Sequence, residues 1–221
     1  VTSFAWTEDW RRLTITDPLE LQQIRSFDSA GRMTSYQYPG IGVTQYTYDG
    51  NDNRTQLTQA QGSATYSYDV LNRLIDEQWD GNLDDTARID RITREWDANS
   101  NLIGVTQIGS EGSYNRQISY DSFNRPTGFS DSRELVIAMT YEPNGNRSSI
   151  TDANQRTIHY HYDGANRISG VDLPEGSATY SYEANGRLSG LNLPNGTATN
   201  WQYDAANRPT RIEHNRPNEQ K

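Results

Sequence analysis

"ATYSYDVLNRL" (residues 64–74) and "ATYSYEANGRL" (residues 178–188) are one phrase written twice, 114 residues apart, with seven of eleven letters shared. In the first copy Tyr66 and Tyr68 alternate with Thr65, Ser67 and Asp69, a period of two that puts rings on one side of an extended strand and small polar groups on the other. Thr and Tyr suit such a pleated surface. An acid and a short link then lead to an Arg. Asn or Gly late in that link fits a residue with positive φ, as hairpin loops of three to five residues require.

The phrase is a building unit, because it recurs. An aromatic, an acid and, five or six residues on, an Arg appear as Phe27–Asp28–Arg32, Tyr48–Asp49–Arg54, Tyr68–Asp69–Arg73, Tyr120–Asp121–Arg125, Tyr141–Glu142–Arg147, Tyr162–Asp163–Arg167, Tyr182–Glu183–Arg187 and Tyr203–Asp204–Arg208. A ninth copy, Trp96–Asp97, has Asn101 in place of the Arg. Successive aromatics are 21, 20, 28, 24, 21, 21, 20 and 21 residues apart, a near-constant step that marks a repeat array. Stepping 21 back from Phe27 reaches Trp6, where "WTEDWRRL" reads as a degraded tenth copy with Arg11 in the Arg position.

After the Arg comes a second alternating run, then another turn signal: "PG" at 39–40, "QG" at 61–62, "DG" at 80–81, "PEG" at 174–176, "PNG" at 194–196. Strand, turn, strand, turn in about 21 residues is one β-hairpin per repeat. The expected fold is all-β: repeated antiparallel β-hairpins forming a long, curling sheet of about 18–20 strands, stabilised neighbour by neighbour. The expected division is 1–26 as a degenerate repeat and N-terminal edge, 27–209 as the array, and 210–221 as a polar C-terminal tail. The five- and six-residue links alternate in the first six copies, which suggests a structural period of paired hairpins there.

The composition fits a wall rather than an ordinary core. Hydrophobic residues make up 33% of the 221, net charge is −9, and mean hydropathy is −0.94. Disorder is countered by 14 Tyr, 5 Trp and 4 Phe, whose rings bury area while keeping polar tips bonded. The cations are 19 Arg and one Lys, and Arg offers the planar fork that meets carboxylates with two parallel bonds. The negative balance argues against a nucleic-acid partner. There is no Cys, and no apolar run reaches the roughly 18–20 residues of a membrane span. A chain opening on Val1 reads as an excised piece or a mature product.

Of the 23 aromatics, 14 lie at the motif position or two before it, so stacked copies would build a ladder of rings. Such a ladder could serve packing or, in a rival reading, a glycan-binding strip. Nine acids in nine copies read as turn closures rather than catalysts. Each Arg can reach its own acid or that of a neighbouring copy.

The Y-D-x-x-G-R-L phrase at this spacing resembles the YD repeat of the Rhs family, over about residues 27–209. That family includes bacterial Rhs polymorphic toxins, shell components of Tc toxin complexes, and teneurins. The resemblance implies a spiralling β-sheet that wraps into a hollow shell and, in the toxin members, encloses a toxic polypeptide. It implies as partners the other repeats of the shell and an enclosed toxin or effector, and a secreted or cell-surface location in a bacterium. The family's D-P-x-G-L autoproteolytic motif is not matched: Asp17–Pro18 lacks the Gly and lies at the wrong end. The chain is thus expected to be wall, without lid or cargo.

Other candidates are weaker. His159 and His161 share a strand face but have no evident third metal ligand. His214 stands alone. The acidic insertion "DGNLDDTARID" (80–90) does not fit an EF-hand loop, and N-x-[ST] sequons at Asn53, Asn146 and Asn195 sit in turns. No phosphate loop, nucleophile elbow or H-E-x-x-H occurs. No catalytic, cofactor or metal residue is assigned. The alternative to a structural shell segment is a cell-surface repeat module that binds glycans or protein. An enzyme would need a carboxylate pair projecting into a cleft. An array with open edges invites edge-mediated self-association.

Overall fold

A computed structural model describes residues 1–81 and 89–217, and every regular element among them is a β-strand. The chain divides into two compact units, Val1–Gln117 and Ile118–Lys221, a division that falls inside the repeat array. The first unit holds β1 (Ser3–Trp6), β2 (Arg12–Thr16), β3 (Gln22–Phe27), β4 (Met33–Tyr38), β5 (Gly42–Tyr48), β6 (Arg54–Gln59), β7 (Gly62–Tyr68), β8 (Leu74–Gly81), β9 (Ile89–Trp96), β10 (Leu102–Gly109) and most of β11 (Gly112–Tyr120). The second holds β12 (Pro126–Asp131), β13 (Val136–Tyr141), β14 (Arg147–Thr151), β15 (Thr157–Tyr162), β16 (Ile168–Leu173), β17 (Gly176–Tyr182), β18 (Leu188–Asn192), β19 (Ala198–Tyr203) and β20 (Pro209–Asn215). Within each unit, strands next to each other in sequence pair antiparallel.

The fold class therefore follows the repeat pattern, with one hairpin per copy. The first 26 residues fold in the same way: β1 and β2 pair from Ser3↔Thr16 to Trp6↔Leu13. The polar stretch from residue 210 is not simply a tail, since residues through Asn215 form β20 against β19. The acidic insertion lies largely outside the described residues. Its leading "DG" is not a turn: Asp80 and Gly81 end β8, opposite Ser63 and Gly62. Gly81, at φ 88°, presses so close to that strand that a Cβ there would lie 2.3 Å from the Gln61 carbonyl. These glycines permit strand contact, which looks like a turn signal when only composition is read.

In eight hairpins the register slips just before the aromatic-acid turn. Ser67 faces Asp76, for example, while Tyr68 faces Leu74. Such a bulge re-aims side chains and sharpens local twist. The core is thin. Among the described residues the buried hydrophobics are Ala64 and Ala178, with Thr44, Ser149 and Thr199 as buried polar residues, and no large side chain is fully enclosed. Ala64 and Ala178 lie two residues before Tyr66 and Tyr180, on the ring face, with Ala64 opposite Leu57 and Trp79 and Ala178 opposite Val171.

Stability should respond to that small site. Ala64→Leu is expected to cost about 1–3 kcal/mol in urea denaturation by overpacking. Val70→Ala, at a turn position 97% exposed, should stay within about 0.5 kcal/mol of the parent. Equal effects at the two positions would refute the packing assignment.

Candidate functional site

The turns carry the conserved geometry of each copy. In the turn after β7, the Asp69 N–H donates to the Arg73 carbonyl at 2.9 Å, and Asn72 N–H donates to the Asp69 carbonyl at 3.0 Å. Asp69 Oδ1 accepts the N–H groups of Leu71 and Arg73, and Oδ2 accepts Arg73 Nε at 2.6 Å. One carboxylate thus satisfies two turn amides and pins a guanidinium. The same pattern recurs at Asp28, Asp121, Asp163 and Asp204. The fourth turn residue is left-handed in all nine copies, from Asn72 at φ 60° to Gly145 at φ 95°. That is why Gly and Asn recur there.

Glu copies need an adjustment. The longer Glu183 side chain still meets the Arg187 guanidinium, and Asn185 Oδ1 takes over the Arg187 N–H. Asn144 does the same for the Asn146 N–H in the Glu142 copy. Glu therefore travels with Asn two residues later, in "EPNGN" and "EANGR".

The two link lengths turn out to be one turn. In the longer form the residue facing the acid is Asn: Asn53 Nδ2 donates to Asp49 and Asn101 Nδ2 to Asp97. Arg54 and Arg147, read from sequence as partners of Asp49 and Glu142, instead open the next strand. Arg54 lies over Tyr46 and Tyr66, at 5.9 and 4.7 Å, and Arg147 over Tyr160 at 4.9 Å.

From the turn, the pinned side chain reaches the next copy. Arg32 Nη1 donates to the Asp49 carbonyl at 2.9 Å and to Asp52, Arg73 to the Asp97 carbonyl and Ser100, Arg125 to the Glu142 carbonyl, and Arg187 to the Asp204 carbonyl and Asn207. The same guanidinium groups lie over the next copy's ring: Arg32 on Tyr48, Arg73 on Trp96, Arg125 on Tyr141, Arg167 on Tyr182 and Arg187 on Tyr203, at 4.3–5.7 Å. Where Asn replaces Arg, the bridge is an amide: Asn51 and Asn53 donate to Asn72, and Asn144 and Asn146 to Asn166.

The rings return the contact. Tyr48, Tyr68, Tyr141, Tyr162, Tyr182 and Tyr203 donate their hydroxyls to the carbonyls of Met33, Arg54, Pro126, Arg147, Ile168 and Leu188, at 2.7–3.0 Å. Trp96 Nε1 donates likewise to Leu74. Each acceptor opens the second strand of the preceding copy, beside the bulge. Phe27 lacks a donor and packs on Trp6 at 5.6 Å. Tyr120 ends β11.

The degraded copy at Trp6 keeps the turn with exchanged parts: Thr7 Oγ1 accepts the Arg12 N–H and Asp9 accepts the Arg11 N–H, while Trp10 is the left-handed fourth residue, Arg11 follows it and Arg12 opens β2. Asp17, Asp131 and Asp152 build the same turn at the opposite ends of hairpins, Asp152 complete with Arg156. A search keyed on an aromatic before the acid passes over them; the acid–x–x–x–Arg spacing of "DANQR" is the signal that finds Asp152. Two further pairs, Arg91–Asp76 and Arg94–Glu77, link β8 and β9. His161 Nε2 and Ser177 both meet Asp172, so the second candidate His bonds its facing strand. His214 Nδ1 bonds Thr199 Oγ1 across the β19–β20 pair. No cluster of three or more metal-ligating side chains occurs among the described residues.

The turn network holds its acids ionised. Asp28, Asp69 and Asp204 sit below the ordinary carboxylate value chiefly through the backbone N–H of the Arg four residues on, and Asp163 chiefly through the Arg167 side chain. In Asp49 and Asp97 the leading cause is the side-chain amide of Asn53 or Asn101.

The sequence matches the family described as Teneurin YD-shell over residues 93–214, and RHS Repeat over residues 27–64 and 48–78. Solved structures share the fold. Against the crystal structure of TcdB2-TccC3 the TM-score is 0.60 at 16% identity, covering 98% of this chain and 13% of that one. Against the Photorhabdus luminescens Tc holotoxin pore carrying TccC3-D651A it is 0.59 at 16% identity, covering 98% and 12%. The chain thus spans about an eighth of the length of these structures. No curated protein sequence matches it.

Two measurements follow. Tyr68→Phe should lower stability by about 0.5–1.5 kcal/mol, the net worth of one hydrogen bond, with the fold retained by circular dichroism; no loss would remove the hydroxyl from the account. Because the turn acids have folded values below their ordinary 3.8, their stabilisation is present at neutral pH and is lost as pH falls. The urea midpoint should decline below about pH 5, and Asp163→Asn should flatten that decline. A midpoint that rises on acidification, or a slope unchanged by the substitution, would contradict it.

Proposed function

This chain belongs to the teneurin YD-shell family, and from that membership we propose that it is a structural segment of a shell wall that helps enclose or display a toxin or effector polypeptide. Its work in this reading is geometric and non-enzymatic. It acts in a secreted or cell-surface bacterial assembly, with other repeats of the same shell as its immediate partners.

The observation that carries the reading is the two-sidedness of the strands. On one face the rings are spent on the neighbouring copy, with guanidinium groups over Tyr48, Trp96, Tyr141, Tyr182 and Tyr203. On the other, small polar groups satisfy one another: Thr47 with Thr55, Ser119 with Thr127, Thr140 with Ser148. A face of self-satisfied hydroxyls offers an enclosed chain no greasy anchor, which suits holding an incompletely folded polypeptide without gripping it. Rings already covered by guanidinium groups are poor platforms for sugars, so the glycan-binding alternative draws no support from these positions.

An image of the full-length parent protein tests the proposal. A closed hollow body, with these repeats in its wall and an internal polypeptide that resists protease until the wall is denatured, is the expected result. An open strip, or a cargo segment cut as fast in the intact protein as in the denatured one, would overturn it.

A further inference from the structure

One guanidinium in the interior of the array is pinned and then left without a ring to cover. Arg156 meets the Asp152 carboxylate through Nε and Nη2, and Asp152 also accepts the Arg156 N–H, as in the other copies. Its side chain is nevertheless 62% exposed, against 19–33% for Arg32, Arg73, Arg125, Arg167 and Arg187. Each of those five lies over an aromatic of the next copy; Arg156 lies over no ring and reaches no further turn among the described residues. Its strands are inner ones: β14, β15 and β16 are each paired on both sides.

Beside Arg156 the surface sinks into a recess of about 250 Å³. Ile150, Ile158, Leu173 and Pro174 make its apolar walls, with Arg156 and Glu175 among its polar residues. Ile158 stands two before Tyr160, and Leu173 two after the Val171 that faces Tyr160, so the apolar walls belong to the ring side of the strands. Further along these same hairpin ends, proline closes the gap between turns. Pro194 packs on Gly176 and Pro217 on Gly196, where an added Cβ would come within 2.9 and 3.0 Å of the proline. Pro174 belongs to the same kind of turn, "LPEG" beside "LPNG", but the turn before it offers Arg156 in place of a glycine, and the gap stays open. Glu175 is exposed and meets no cation among the described residues.

We infer that this recess receives a tyrosine side chain from another stretch of the shell wall. The array itself shows what a pinned guanidinium takes: Arg32, Arg125, Arg167 and Arg187 each lie over a Tyr, and Arg73 over Trp96. The incoming ring lies on Ile158, Leu173 and Pro174 with Arg156 against its face, and its hydroxyl donates to the Glu175 carboxylate. Elsewhere in the array tyrosine hydroxyls find oxygen acceptors in the same manner. An acidic occupant is disfavoured, because Asp152 and Glu175 both flank the single cation. The occupant is wall rather than cargo, since the apolar walls lie on the ring side, opposite the hydroxyl face assigned to the enclosed polypeptide. The chain spans 13% and 12% of the solved structures it resembles, so most of a chain of that kind lies outside it. The source of the tyrosine rests on the shell reading; the chemistry of the recess does not.

Titration of the whole 221-residue chain with N-acetyltyrosinamide, followed by NMR at the Arg156 Nε–H and the Ile158 methyl groups, tests the recess. Saturable shifts in the range of about 1–10 mM are expected, the scale for one small ring held by few contacts. Arg156→Ala should weaken binding about 2–10-fold, with circular dichroism unchanged. Glu175→Ala, at an exposed position, should weaken the tyrosine probe about 2–10-fold and leave binding of N-acetylphenylalaninamide as it was. No saturation, shifts indifferent to both substitutions, or equal binding of the two probes by the unsubstituted chain would each overturn the inference. In the full-length parent, a photo-crosslinking residue at position 175 then identifies the occupant. Capture of a tyrosine-bearing segment of the wall is expected; capture of the enclosed polypeptide, or no capture, would overturn the assignment. A parent imaged as an open strip, with tyrosine binding intact, refutes the shell and not the chemistry of the recess.

Discussion

A guanidinium is held flat by the carboxylate of its own turn and laid over the ring of the next copy. Everything else in the array depends on that contact being made again and again. The carboxylate fixes one edge of the fork, as Asp69 does for Arg73, and the other edge is then aimed at the neighbour's carbonyl and ring. A lysine could not do both, because its ammonium has no plane to orient and no second edge to offer. This accounts for an almost complete choice of Arg over Lys in a chain rich in acids.

The arrangement replaces a conventional core. With only Ala64 and Ala178 buried among the apolar residues described, area removed from water between layers cannot be what orders these strands. Stability instead accrues along the sheet, copy to copy, through hydroxyl–carbonyl, guanidinium–carbonyl and guanidinium–ring contacts. Each is worth little alone, and exposed ion pairs least of all. Their value comes from order already present: the turn immobilises the Arg before it reaches its neighbour, so less rotamer freedom is lost on making the second contact. Near-neighbour summation of this kind is the physics of linear repeat proteins.

Much of this was legible in the letters, and the limits are instructive. The hairpin per copy, the left-handed fourth turn residue and the alternation of rings with small polar groups all follow from period and residue type. The partner of Asp49 did not. Counting to the nearest Arg selects Arg54, whereas the turn length selects Asn53, because five residues close the loop whichever side chain occupies the last place. The turn at Asp152 escaped since Thr151 stands where an aromatic was sought, though the acid and Arg156 are correctly spaced. "DG" at 80–81 misled because glycine serves close strand approach as well as turns. The exchange of Glu for Asp with an added Asn looks like drift in the letters and is compensation in the turn. Spacing is readable where one geometry admits one residue; it fails where two side chains can do the same work.

The central claim concerns coupling between copies, and a double-mutant cycle on Arg167 and Tyr182 addresses it most directly. The two side chains belong to successive repeats and stack at 4.3 Å. Arg167→Ala, Tyr182→Ala and the pair, compared by urea denaturation, should show a favourable interaction of about 0.5–1 kcal/mol, the double variant losing less than the sum of the singles. Strict additivity would mean that each residue serves only its own hairpin and that the copies merely lie side by side.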